Sequence, residues 1–454
     1  MWNLLKSMLS QTTNETIYQP NDNTTPDLKL YVPWPSSPTP LQISVRGLQG
    51  PTSTLGTAAS DAALTYITLA KIIEYCAPKI KPRKWAATRS LTVDPRAGQM
   101  LNAYYDRKGL SFFYDKNPKT KQMVYLCESS DVVAHECGHA LLDAMRPDFW
   151  DVQAIEIWSF HEAFADITGL VATTQFDSVI DKALKETGGD LRKSNVISML
   201  AEEIGSVLGL GDGLRNAYNT FKYVPIESLP SNSPYDKLSA ECHSFGRVFL
   251  GAWYELMVNI YEYHKTKMPP KNAFIKARDD TYMMVLQAIP QSPRTAKYHE
   301  AIAKIMVSQA SPEYHEIVRK TFTERQLIGK QVKALSTIKL EDFEEKGLMM
   351  SNNNSRLVVV PKHKSIKLSQ YVPSEQVYSL AVGGYNLSNV EVEIAADEYY
   401  EFDLAGNLVD QFTPTESDVV EATRQAVMSI TSIGPHEDTM WEIKNDKLVR
   451  THFE

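Results

Sequence analysis

The sequence predicts an α+β protein with two lobes, the first mixed and the second mainly helical, followed by a separate α+β domain. Three observations carry this. Aromatic-rich, strand-like segments split by turn residues lie ahead of about residue 125. Apolar residues then recur at helical spacing through roughly residues 155–325. Past about residue 330 the helical repeats give way to short β-branched runs.

Residues 1–57 are rich in Pro, Thr, Ser, Asn and Gln, and Pro33, Pro35, Pro38 and Pro40 favour extended chain over helix. They read as an arm or linker. From Asp61 to Cys76, the residues Leu64, Ile67, Leu69, Ile72 and Ile73 repeat at helical spacing. Tyr104 to Val124 reads as a hairpin, and with the helix after it this makes a first lobe over residues 58–150. Residues 151–328 form the helical lobe, with helical repeats over 197–208, 249–263, 274–288 and 296–306 and a loop over 209–240. Residues 329–454 form the C-terminal α+β domain. Its expected strands lie at 357–360, 377–380 and 390–394, its helix at 417–429 with Ser417 as cap, and its final hairpin at 441–449.

Composition narrows the function classes. The chain has 454 residues, 43% hydrophobic and 22% charged, which is ordinary for a globular protein. A formal charge of −8 argues against nucleic acid as a partner. No apolar run is long enough for a membrane span. The first residues lack the apolar core of a signal peptide, so a cytoplasmic or non-classically exported location is the expectation. Cys76, Cys127, Cys137 and Cys242 make no metal-binding pattern and no disulfide framework. Oligomeric state is not legible.

The chemistry concentrates at His135-Glu136-Cys137-Gly138-His139. Residues four apart stack on one helix face, so both imidazoles reach one metal ion. A glutamate between them in this H-E-x-x-H pattern lies close enough to work on a water at the metal. Val132, Val133, Cys137, Ala140 and Leu141 surround the motif with the small or apolar side chains of a buried helix. Downstream, Glu162 follows His139 by 162 − 139 = 23 residues, enough for a turn and a second helix to deliver a third ligand. Glu156 and His161 are the alternative donors nearby. Asp166, four beyond Glu162, can accept the outer N–H of one imidazole and fix its tautomer.

With these residues in place, the sequence resembles the thermolysin-like, or gluzincin, zinc metallopeptidases over roughly residues 58–325. Besides HECGH and the E-x-x-x-D of Glu162 and Asp166, four further segments carry the likeness in order: Asn102-Ala103-Tyr104-Tyr105, Gln122-Met123-Val124-Tyr125, Leu214-Arg215-Asn216 and His243-Ser244-Phe245-Gly246. The resemblance implies a two-lobed zincin with a reduced N-terminal lobe, cutting peptide bonds in a protein or peptide substrate. It implies zinc held by His135, His139 and Glu162, with Glu136 as general base and His243 stabilising the transition state. It implies substrate binding by Asn102, Ala103 and Arg215.

Two positions depart from the family pattern. Phe149-Trp150 stands where the family places an oxyanion-binding tyrosine, and Leu238 stands where it places an aspartate before the catalytic histidine, with Asp236 and Glu241 close by. Asp131 matches a calcium ligand of the family, so Ca²⁺ is a second cofactor the resemblance allows. A catalytically silent, peptide-binding relative is the competing reading. A zinc aminopeptidase is disfavoured, because its N-terminus-binding glutamate motif is missing ahead of the helix.

Overall fold

The computed structural model describes residues 15–21, 25–81, 84–152, 154–201, 205, 213–329, 339–343, 347–351, 355–367, 390–412, 441–445 and 447–451. The fold is mixed α+β, with eight α-helices and several small sheets among these residues. The N-terminal arm is part of the core. Strands β1 (Glu15–Tyr18) and β2 (Leu30–Pro33) pair antiparallel, and Tyr18, Leu28, Val32 and Leu41 are buried.

Strand β3 (Ile43–Val45) carries the arm into a sheet with β4 (Leu91–Asp94), β5 (Ala103–Tyr105) and β6 (Gly109–Phe112), in the order β3-β4-β6-β5. The sheet thus crosses the boundary expected at residue 57. β5 pairs antiparallel with β6 and lies at the edge. Asp106 closes the β5–β6 turn by accepting from the backbone N–H groups of Lys108 and Gly109. A second hairpin follows, β7 (Tyr114–Lys116) with β8 (Met123–Tyr125), closed by Asn117, whose side chain accepts from the Lys119 and Thr120 N–H groups. One expected hairpin is two, because each Asx residue starts its own turn.

Helix α1 (Ala58–Cys76) opens on a Thr57–Ser60 capping box. The motif helix α2 (Ser130–Met145) and α3 (Ile155–Thr173) form the centre, and every residue of α3 is buried. Around them pack α4 (Asp177–Thr187), α5 (Cys242–Lys265), α6 (Pro270–Ala288), α7 (Tyr298–Gln309) and α8 (His315–Glu324). Two glycines set the spacing. A Cβ at Gly138 would lie 2.7 Å from the Ala165 Cα, and one at Gly246 would lie 2.7 Å from the Ser159 carbonyl oxygen. Only glycine lets α2 and α5 come this close to α3, which brings the motif histidines and residue 243 to Glu162.

The helix expected at 197–208 is corrected at its start, while Gly205 is helical, its N–H donating to the Ala201 carbonyl at 2.9 Å. Met199–Leu200 is strand β9, paired antiparallel with β10 (Arg215–Asn216), and Ala201 has a positive φ of 50°. The cause is distant in sequence: the Asp131 carboxylate accepts from the Ala201 N–H at 2.6 Å and holds the backbone out of a helix up to that residue. Residues 202–204 and 206–212 lie outside the described residues.

In the C-terminal region, β11 (Leu348–Ser351), β12 (Ser355–Val360), β15 (Glu398–Asp403) and β16 (Leu408–Phe412) form one sheet. β13 (His363–Lys367), β14 (Glu391–Ala395), β18 (Lys447–Arg450) and β17 (Trp441–Lys444) form another. The strands read at 357–360, 390–394 and 441–449 fall here, while 377–380 and 417–429 lie outside the described residues. Leu357, Val359, Val392, Ile394 and Tyr399 share one buried cluster with the helical core. Arg294 fixes the contact: its Nη1 donates to Glu393 at 2.7 Å, and its backbone N–H to Asp397 at 2.9 Å.

Candidate metal centre and cleft

Three donors meet between α2 and α3. His135 and His139, one turn apart on α2, bring their Nε2 atoms to 3.2 Å. Glu162 on α3 places Oε2 at 3.5 Å from His135 Nε2 and Oε1 at 3.8 Å from His139 Nε2. The group is buried and has the composition and spacing to hold a metal ion. A tetrahedral ion about 2.0–2.1 Å from nitrogen sets its donors about 3.3 Å apart. The three edges bracket that value. Glu162 Oε2 is buried and faces the ring nitrogens of His135 and His243 at 3.5 and 3.3 Å, the setting of an oxygen that can take a cation. The alternative donors sit elsewhere. Glu156 accepts from Tyr223 Oη and the His299 N–H, and the ring of His161 stacks behind His139 at 5.8 Å.

Electrostatics follow from burial and neighbours. Burial disfavours a charged Glu162, but His243, His139 and His135 around it prevail and hold its carboxyl at about 2. Burial pulls His135 down, yet its bonds to Asp166 and Glu162 outweigh this and raise it to about 9. His139, deeper, is pushed well below the usual imidazole value by burial. Asp166 lies where expected: Oδ1 is 2.9 Å from His135 Nδ1, and the carboxyl stays low despite burial because Arg215 and His135 flank it.

A cavity of about 340 Å³ opens over this centre, within the range of small-ligand sites. Asn102, Ala103, Asp131, Val132, His135, Glu136, Asp166, Leu200, Leu214, Arg215 and His243 are among its lining residues, so the expected catalytic and substrate-binding residues all reach one space. Glu136 is buried, its Oε2 lacks a hydrogen-bond partner among the described residues, and burial lifts its carboxyl to about 8 against the pull of His135. Asn102 turns its side chain onto the Ala103 N–H at 2.8 Å at the start of edge strand β5. Arg215, delivered by the β9–β10 pair, places Nε at 2.7 Å from Asp166 Oδ2.

His243 sits in the first turn of α5, with Nε2 3.3 Å from Glu162 Oε2. Its Nδ1 lies 2.6 Å from Glu241 Oε1, and Glu241 also caps the helix by accepting from the His243 and Ser244 N–H groups. Burial opposes charge on this imidazole, but Glu162 and Glu241 prevail and hold it well above the ordinary value. Glu241 thus supplies the carboxylate absent at Leu238. An acidic residue just ahead of a helix was the available signal.

Two expectations fare differently. Phe149 packs edge-on against Tyr298 and Trp150 against Tyr105, both buried away from the cavity. The Asp131 carboxylate is occupied by Ser129 Oγ, the Val132 N–H and the Ala201 N–H. No carboxylate cluster for calcium forms around it among the described residues. The chain matches no family model, and comparison with curated proteins returns no relative.

Proposed function

We propose that the protein is a zinc-dependent endopeptidase with the two-lobed architecture of the thermolysin-like metallopeptidases it resembles. The observation that carries this reading is the His135–His139–Glu162 triangle at the floor of a cavity that also holds Glu136, His243 and an edge strand. A zinc ion there supplies a coordination position where water ionises near neutral pH and a carbonyl is polarised. Glu136 takes a proton from the attacking water and passes it to the leaving amine.

His243, its Nδ1 held by Glu241, presents Nε2 to the carbonyl oxygen as negative charge grows there. Asn102 and Ala103 pair with the backbone of a peptide lying against β5 as an added strand. Arg215, steadied by Asp166, donates to a substrate carbonyl. No described helix is long and apolar enough to cross a membrane.

One observation favours a second reading, a peptide-binding protein without turnover: no tyrosine is among the described residues lining the cavity. Cleavage of an unfolded protein by the zinc-loaded chain separates the two. The wild type should cut, and Glu136→Gln should cut about 10²–10⁴-fold more slowly while keeping its zinc. Equal and negligible cleavage by both would leave the binding reading standing.

A further inference from the structure

Glu162 belongs to a second set of donors. One of its oxygens, the Cys242 sulfur and a ring nitrogen of His243 all lie within 4.8 Å of one another. His243 is built as His135 is. Each has Nδ1 on an outer carboxylate, Glu241 at 2.6 Å and Asp166 at 2.9 Å. Each turns Nε2 to Glu162 Oε2, at 3.3 Å and 3.5 Å respectively. A carboxylate on the outer ring nitrogen is the usual setting of a metal-ligating histidine.

Cys242 adds a soft donor. Its thiol points at Glu241 Oε1, 3.3 Å away, and lies 3.6 Å from His243 Nδ1. It is partly exposed, while Cys76, Cys127 and Cys137 are buried. The His243 side chain is 32% exposed and lines the cavity, so an ion can arrive from solvent without opening the core. Thiolate with imidazole favours zinc-like ions over calcium or magnesium.

We infer that Cys242, His243 and Glu162 form a second site, for a thiophilic divalent cation, bridged by Glu162 to the His135–His139–Glu162 centre. The thiol proton leaves to solvent as the sulfur–metal bond forms, and no electron is transferred. An ion there takes Nε2 of His243 away from substrate and so inhibits cleavage. That consequence rests on the peptidase reading, but the binding itself does not.

Cadmium titrated into the zinc-loaded full chain tests this through the ultraviolet sulfur-to-cadmium charge-transfer band. The first centre contains no sulfur, so cadmium exchanged into it gives no band. The wild type should develop the band to one cadmium per chain with the zinc retained. Cys242→Ser should lose the band and bind the added ion about tenfold more weakly or worse. Cys242→Ala should behave alike, which separates the ligand effect from a folding defect of either variant. In a cleavage assay, inhibition should follow the band and move with it in the variants. No band in the wild type, or an undiminished band without Cys242, overturns the inference even if no peptide is ever cut. A band without inhibition leaves the site standing and removes the role given to His243 in cleavage.

Discussion

Arg215 Nε lies 2.7 Å from Oδ2 of Asp166, whose other oxygen lies 2.9 Å from His135 Nδ1. One carboxylate therefore ties a loop cation to the first metal-facing imidazole. With a metal bound, it would hold the His135 proton on Nδ1 and leave the Nε2 lone pair to the ion. Asp166→Asn preserves size but removes the charge that both partners face. Zinc affinity, measured by competition with a chelating dye, should fall about 10–100-fold. Unchanged affinity would mean that Asp166 does no more than hold the Arg215 loop.

Metal occupancy should also appear as stability. The three donors gather only in the folded chain, so an ion that binds them stabilises the fold by mass action, about 4 kcal/mol at a thousandfold excess over its dissociation constant. Chelation should lower the melting temperature and added zinc should restore it. In His139→Ala, which removes one corner of the triangle, the melting temperature should no longer respond to zinc. A wild type indifferent to both treatments would leave the buried triangle without a metal.

The parts of this site that were legible in the sequence are those fixed by helix geometry. His135 and His139 share a face because they are four apart, and Asp166 follows Glu162 by the same step. Parts set by contacts between distant segments were not. Arg215 reaches Asp166 only because β9 and β10 pair, and β9 replaces the first residues of an expected helix because Asp131 holds Ala201 from 70 residues away. Residues 1–57 read equally as arm or linker, since burial of Tyr18 and Val32 depends on what they pack against. The sequence puts Glu241 close to His243 without fixing its role, because that depends on where one side chain points at a helix start.

Gly138 is the one motif residue with no chemical group to offer, and its contribution is distance. Gly138→Ala would put a methyl 2.7 Å from the Ala165 Cα and 3.1 Å from the Thr168 Cβ, both on the central helix. Neither neighbour is the free end of a flexible side chain, so α2 must shift. Overpacking of this kind costs about 1–3 kcal/mol. The midpoint of urea unfolding should drop at unchanged slope. The same shift carries His135 and His139 away from Glu162, so zinc affinity should fall in the same variant. A stable variant with full zinc affinity would show that helix spacing does not set the site.

The loop bearing Arg215 has a second anchor, and its strength should depend on pH. Tyr223 donates to Glu156 Oε1 at 2.7 Å, and the His299 N–H donates to Oε2 at 2.9 Å. Burial lifts this carboxyl from 4.5 to about 8. Between those values the folded chain keeps a proton that the unfolded chain has released, so stability falls as pH rises. The contribution is fully present below about 4.5 and lost once pH passes about 8. At about 1.4 kcal/mol per unit, the swing is on the order of 5 kcal/mol. Glu156→Gln is neutral throughout, and its amide can accept from His299 and donate to Tyr223. The other titrating groups are common to both chains and cancel in the difference. Wild-type stability minus that of Glu156→Gln, from urea unfolding between about pH 5 and 9, should therefore decline steadily with pH. A flat difference would mean that Glu156 is ionised in the folded chain, and that Tyr223 is held to the core by a charged anchor.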